Sequence, residues 1–97
     1  MLYTIENDKL CVQVRDHGAE LRSIKERGDE TEYLWNGDPT WWRYSSPVLF
    51  PIVGKLKDNK YRVNGKTYEL PSHGLGRISD FQLVEKEADR IAFSLRW

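Results

Sequence analysis

Apolar and polar residues alternate with a period of two along most of this chain, and that period predicts strands. Residues 2–5 are rich in β-formers, and Asn7-Asp8 supplies a turn. Leu10, Val12 and Val14 alternate with Cys11, Gln13 and Arg15, so the first two strands are expected to form a hairpin. Gly18 breaks the pattern, and residues 19–25 read as a third strand with Leu21 inward. A turn at Gly28-Asp29 leads to a short strand, Tyr33-Leu34-Trp35, closed by Asn36-Gly37-Asp38-Pro39. Residues 40–46 show no clear period, and Pro47 forbids a helix running into it, so a loop or one helical turn is expected there. Residues 48–53 are apolar and strand-like.

The clearest local signal is Asn64-Gly65, the pair that a two-residue type I′ turn prefers because both positions need positive φ. That turn pairs Tyr61 with Tyr68 and Lys60 with Glu69. It predicts a dry face of Tyr61, Val63, Tyr68 and Leu70 and a wet face of Lys60, Arg62, Thr67 and Glu69. Phe81 to Val84, a polar turn at residues 87–89, and Ile91, Phe93, Leu95 and Trp97 in alternation complete the pattern. The alternation still runs at Trp97, so the expectation is a partial domain. The fold class is mostly β, an antiparallel β-sandwich of short strands, and residues 1–97 form a single unit.

Charge then removes several functions. Fifteen basic and fifteen acidic residues balance, and the bases are interleaved with acids. No basic tract points to nucleic acid. Cys11 is the only cysteine, which forbids an internal disulfide and fits a reducing compartment. The first ten residues lack a signal-peptide pattern, and the longest apolar run is too short to span a bilayer. The expectation is a cytoplasmic protein without nucleic-acid or membrane partners.

Cys11, His17 and His73 share no metal-ligand spacing, so no metal site is expected. Ser72-His73 are adjacent rather than facing, and no nucleophile elbow is present. His17-Gly18-Ala19-Glu20 reads as a bend between strands, and Lys57-Asp58-Asn59-Lys60 as a solvated turn. His73 has two readings. It is a turn histidine bonded to a carbonyl, or a polar group aimed at a ligand hydroxyl. Pro71 before it, Gly74 after it and Arg77 four residues on favour the second, and the residues alone leave both open. Trp35 reads as core. Trp41 and Trp42 lie in the irregular segment, so at least one is expected to be exposed, where an aromatic face suits a sugar ring.

Three blocks carry a resemblance: His17-Gly18-Ala19-Glu20-Leu21-Arg22-Ser23-Ile24, Ser46-Pro47-Val48-Leu49-Phe50-Pro51-Ile52-Val53-Gly54-Lys55-Leu56-Lys57, and Leu70-Pro71-Ser72-His73-Gly74-Leu75-Gly76-Arg77. In this order they resemble the N-terminal part of aldose 1-epimerase (galactose mutarotase-like) proteins, closest to the LacX-like branch. The resemblance implies a β-supersandwich with a sugar-binding cleft and no cofactor. It implies interconversion of the α and β anomers of a free aldose, by a general acid on the ring oxygen and a general base on the anomeric hydroxyl. It places His73 on substrate hydroxyls and Arg77 beside it. Arg43 stands one place before the position where many relatives carry arginine, which here is Tyr44, and Leu75-Gly76 stand where many carry Phe-Ala. Trp42 completes the expected substrate-binding set. The family's second histidine and its glutamate have no counterpart in these residues, so no catalytic residue is assigned. Three functions follow: a sugar-binding segment of an epimerase-like protein, a non-catalytic sugar-binding module, or a structural piece that pairs with another chain, including a second copy, through strand edges.

Overall fold

Asn7 starts the architecture. Its side-chain oxygen accepts from the backbone N–H of Lys9 and of Leu10, both at 2.8 Å, and so folds the chain back on itself. The structure is a computed structural model that describes residues 1–96. The turn joins β1 (Leu2–Glu6) to β2 (Leu10–Arg15), and β3 (Glu20–Glu26) adds to the far edge of β2, giving an antiparallel sheet in the order β1-β2-β3. The register shifts between Gln13 and Val14. The inward residue at the start of β3 is Glu20, 1% exposed, whereas Leu21 pairs with Val14 and is only half-buried. The expectation of Leu21 as the inward residue is corrected accordingly: Glu20 is held inside by partners that a hydrophobic pattern does not register.

β4 (Lys60–Val63) and β5 (Lys66–Glu69) form the expected hairpin. Asn64 and Gly65 take φ of 51° and 79°, and Tyr61 pairs with Tyr68 and Lys60 with Glu69. The two tyrosine rings stack at 5.3 Å. The dry face is not realised, since all eight strand residues are exposed and only the neighbouring Leu70 is buried. β4 and β5 pair only with each other among the described residues, and Tyr61 and Tyr68 stay 39% and 42% exposed.

β6 (Gln82–Lys86) and β7 (Ile91–Ser94) make a third antiparallel pair. It leans on the first sheet through an edge-on contact between Tyr3 and Phe93 at 5.8 Å and a bond from the Glu6 N–H to the Ala88 carbonyl at 2.7 Å. The expected final strand therefore stops at Ser94, and its last residue, Trp97, lies outside the described residues.

Two predicted strands are absent. Residues 33–35 carry no strand, because Glu32 makes an isolated bridge to Lys25 and the chain then leaves the sheet. Residues 48–53 do not extend either. Phe50 makes one parallel bridge to Gly74, the Phe50–Pro51 peptide is cis, and Gly54 has φ of 94°. Residues 40–46 form the expected irregular loop.

The molecule is an all-β slab measuring 56 × 32 × 17 Å with a radius of gyration of 16.2 Å. A compact domain of this length has a radius of about 12–13 Å. Among the described residues only Val14, Tyr44 and Leu70 are buried hydrophobics. No helix is long and apolar enough to cross a membrane.

Candidate functional site

Three irregular segments are laced together, and they carry His17, Trp42, Arg43, His73 and Arg77. The bend after β2 is tied to residues 79–81. The Gly18 N–H donates to the Ser79 carbonyl at 2.7 Å, and the Phe81 N–H to the Asp16 carbonyl at 2.9 Å. His17 Nδ1 lies 2.8 Å from Asp80. A Cβ on Gly18 would stand 2.8 Å from the Arg77 carbonyl, so only glycine allows this approach. The bend expected at residues 17–20 is thus also a docking point for the segment that carries Arg77.

Glu20 fixes the second segment. Its Oε2 accepts from the backbone N–H of Ser45 at 2.8 Å and of Ser46 at 3.2 Å, while its Oε1 faces Arg15 at 2.5 Å and Arg22 at 3.4 Å. A carboxylate this deep is tolerable only with such partners. Arg22 extends the tie, donating to the carbonyls of Asn36 and Arg43 at 3.4 Å each. One buried charge on β3 therefore sets where the loop of residues 36–46 lies.

The third segment is the His73 turn. The Leu75 and Gly76 N–H groups both donate to the Phe50 carbonyl, at 2.9 and 3.0 Å, and the His73 N–H donates to the Gly54 carbonyl at 2.7 Å. The Gly54 N–H returns the bond to His73 Nδ1 at 2.9 Å. The ring thus meets a backbone N–H, not the carbonyl of the simple turn reading. Because Nδ1 accepts, the neutral ring carries its proton on Nε2, which is left as a donor. His73 sits at φ of 63°, a costly backbone for a residue with a Cβ.

Tyr44 is where the segments converge. It is 8% exposed, and its ring has Arg77 Cζ 4.9 Å and Arg43 Cζ 5.2 Å from its centre, with the Trp42 ring at 6.0 Å. Arg43 also donates to the Tyr44 hydroxyl at 3.3 Å. The structure therefore brings Trp42, Arg43 and Arg77 together, as the sequence led one to expect, around a residue the sequence reading noted only as a departure. His73 is on the same turn as Arg77 but occupies Gly54 rather than the Tyr44 cluster. Arg15, His17, Arg43, Tyr44 and Ile78 line a cavity of about 340 Å³. Trp42 is 50% and Trp41 78% exposed. Trp35 is 41% exposed, its indole N–H donating to the Trp42 carbonyl at 2.6 Å, which corrects its assignment to the core. No cluster of metal-ligating side chains occurs among the described residues.

Sequence reasoning missed Glu20, Arg15 and Tyr44 as parts of the site. A signal existed for the first two: an acid among apolar strand residues, with arginines five places before and two after, is a carboxylate with its counter-charges supplied.

This arrangement of strands defines the class: an all-β protein of the galactose mutarotase-like type. It superposes on a galactose mutarotase related enzyme from Lactobacillus acidophilus with a TM-score of 0.95 and 44% identity, over 98% of this chain and 32% of that one. It superposes on a galactose mutarotase-like protein from Lactobacillus casei with a TM-score of 0.90 and 39% identity, over 96% of this chain and 32% of that one. The family model of aldose 1-epimerase matches residues 1–97, and the chain belongs to that family. Chromosomal LacX of Lactococcus lactis is 35% identical over 101 residues, covering 99% of this chain and 33% of LacX. The chain spans about a third of the length of these relatives.

Proposed function

We propose that this chain is a carbohydrate-binding segment of an aldose 1-epimerase-like protein, forming one wall of a cleft that holds a free aldose during exchange of its α and β anomers. The observation that supports this reading is the exchange of hydrogen bonds between Gly54 and His73, which leaves Nε2–H as a donor available to a ligand oxygen. Pre-set donors of this kind suit sugar hydroxyls, because no reorganisation is needed on binding. Arg77 and Arg43 supply further donors, and exposed Trp42 an apolar face for a sugar ring. Anomer exchange needs an acid and a base on one bound sugar. In this reading both come from polypeptide outside these 97 residues, so the chain binds but does not catalyse. No cofactor is required.

Two-dimensional amide NMR with galactose and glucose, joined to polarimetry, tests this. Shifts at Trp42, Arg43, His73 and Arg77 without faster mutarotation are expected. Silence at all four residues removes the sugar reading, and acceleration that His73→Ala abolishes removes the claim that the chain is inactive alone.

A further inference from the structure

Glu20 needs one counter-charge, and two arginines reach it. Arg15 meets its Oε1 at 2.5 Å, whereas Arg22 Nη1 stands 3.4 Å from the same oxygen. Neutralising the buried acid therefore leaves the second guanidinium unexplained. The other contacts of that guanidinium lie on the loop after β3. Its Nη2 donates to the Asn36 carbonyl and its Nη1 to the Arg43 carbonyl, each at 3.4 Å. One planar fork thus gathers both ends of the segment of residues 36–43. Between those ends the segment is braced by its own bonds. Asn36 Oδ1 accepts from the Asp38 N–H at 3.0 Å, and Asp38 Oδ1 from the Thr40 N–H at 2.9 Å. The Asp38 carbonyl accepts from the N–H groups of Trp41 and Trp42 at 3.1 and 2.9 Å. A loop braced within itself moves as a unit, so its placement depends on the point that joins its ends. Gly37 passes directly against that point, since a Cβ there would stand 2.5 Å from Arg22 Nη2.

We infer that Arg22 is a positioning residue for sugar binding: its guanidinium clamps the loop of residues 36–43 and so holds the Trp42 face and the Arg43 donors in place for a sugar. The inference rests on the sugar-binding reading and goes beyond it, giving β3 control of the loop that meets the ligand. Arg22 acts through the loop and not on the sugar. Its guanidinium is spent on three protein oxygens, and its side chain is 22% exposed. The role differs from that of Glu20, which holds the chain beyond the loop at the Ser45 and Ser46 amides. Lysine cannot replace the clamp, because a single ammonium lacks the planar pair of donors that spans two carbonyls. Each of the two bonds is long, so the clamp contributes little to overall stability and acts on geometry. Groups held in place before a ligand arrives spare the cost of ordering them on binding.

NMR titration of the whole chain with galactose, compared with Arg22→Lys and Gly37→Ala, tests this. Arg22→Lys keeps the charge beside Glu20 and removes the fork, and Gly37→Ala displaces the fork while keeping every charge. Both variants are expected to bind galactose about tenfold more weakly, the worth of one lost contact. The shifts at Trp42 and Arg43 should shrink while the shift at His73 persists, a split that a general loss of structure would not produce. Without sugar, the nuclear Overhauser contact between the Trp42 and Tyr44 rings, 6.0 Å apart in the unaltered chain, should weaken in both. The urea midpoint of Arg22→Lys should move little. If both variants keep the ring contact and the galactose affinity, the inference is overturned while the sugar reading stands. If the response at His73 falls as far as that at Trp42, Arg22 supports the whole structure and the positioning role is again overturned. If the unaltered chain does not respond to galactose, the sugar reading falls and this inference with it. Should Arg22→Lys fail to fold, Gly37→Ala decides by the same readouts.

Discussion

The Gly54 amide N–H donates to Nδ1 of His73 at 2.9 Å, and this one bond decides which ring nitrogen is left as a donor. Neutral imidazole has one donor and one acceptor, so an occupied acceptor at Nδ1 leaves the proton on Nε2. Long-range proton–nitrogen NMR on labelled histidine should therefore show the neutral His73 ring in the Nε2–H form. A ring protonated on Nδ1 would sink the assignment and with it the donor role.

Glu20 is expected to be the most sensitive charged position. Replacing it with alanine strips the Ser45 and Ser46 amides and Arg15 of their acceptor in a buried place. Hydrogen bonds to a charged group contribute about 1.5–3 kcal/mol each, and Arg15 is partly solvated, so a total loss of about 3 kcal/mol is expected. Urea unfolding of Glu20→Ala measures it, and a change below about 0.5 kcal/mol, the usual size of a surface effect, would show that Glu20 does not anchor the loop.

How far the site could be read in the sequence follows from the kind of information each part uses. The β4–β5 hairpin was legible to the residue because Asn64-Gly65 is a local device, setting turn and register without help from elsewhere. Arg77 was legible through a family block, whereas Trp42 and Arg43 lie in the irregular segment between two blocks. Tyr44 as their shared platform was not legible, because it depends on a contact between residues 33 positions apart in sequence. Glu20 was invisible to hydrophobic patterning for the same reason, its partners lying on β2 and on the loop near residue 45. Residues 48–53 misled because a buried-strand composition is also that of an apolar loop, and the cis Phe50–Pro51 peptide and the bonds to residues 73–76 are tertiary facts.

Gly74 should not tolerate a side chain. It sits at φ of 76°, and a Cβ there would run into the Phe50 carbonyl, which accepts the bonds from Leu75 and Gly76. Left-handed backbone alone costs a residue with a Cβ about 1–2 kcal/mol, and the steric conflict adds to it. Gly74→Ala is expected to lower the thermal midpoint and to move the His73 and Gly54 amide signals. Gly65→Ala, also at positive φ but with open space around the Cβ, should cost less. Equal losses at both positions would remove the steric part of the argument.

Acid should loosen the chain after β3 through Glu32. Burial pushes its carboxyl upward, but the Ser23 hydroxyl at 2.5 Å, the Ile24 amide at 2.8 Å, the Leu34 amide and the charge of Lys25 outweigh that and hold it below the ordinary 4.5. A folded value below the unfolded one means stability that is complete above pH 4.5 and is lost as pH falls through the folded value. Asp16, held down by the terminal ammonium group, acts in the same direction. Urea midpoints followed downward from pH 6 should be level and then decline. Glu32→Gln should make that decline shallower, leaving the parts of Asp16 and of Asp29, which the Thr31 amide holds down. A curve parallel to that of the unaltered chain would show that Glu32 is not linked to folding.

Self-association is expected of the isolated 97-residue chain. Its accessible surface is 7146 Å² at a mass of 11.4 kDa. A folded monomer of this mass exposes about 5,800 Å², so roughly 1,400 Å² is in excess. A standard interface covers only about 800 Å² per partner. The excess is apolar in good part: Tyr61, Val63 and Tyr68 on the hairpin and Leu83 and Val84 on β6 are all exposed beside strand edges. Such edges pair with other chains unless charge or covering prevents it. Light scattering coupled to size exclusion should give a mass above 11.4 kDa that rises with concentration. Lysine at exposed Val84 should shift it toward the monomer, since a charge on an edge opposes strand addition. A sharp monomer across the concentration range, unaffected by Val84→Lys, would mean that the slab is stable with its apolar faces in water.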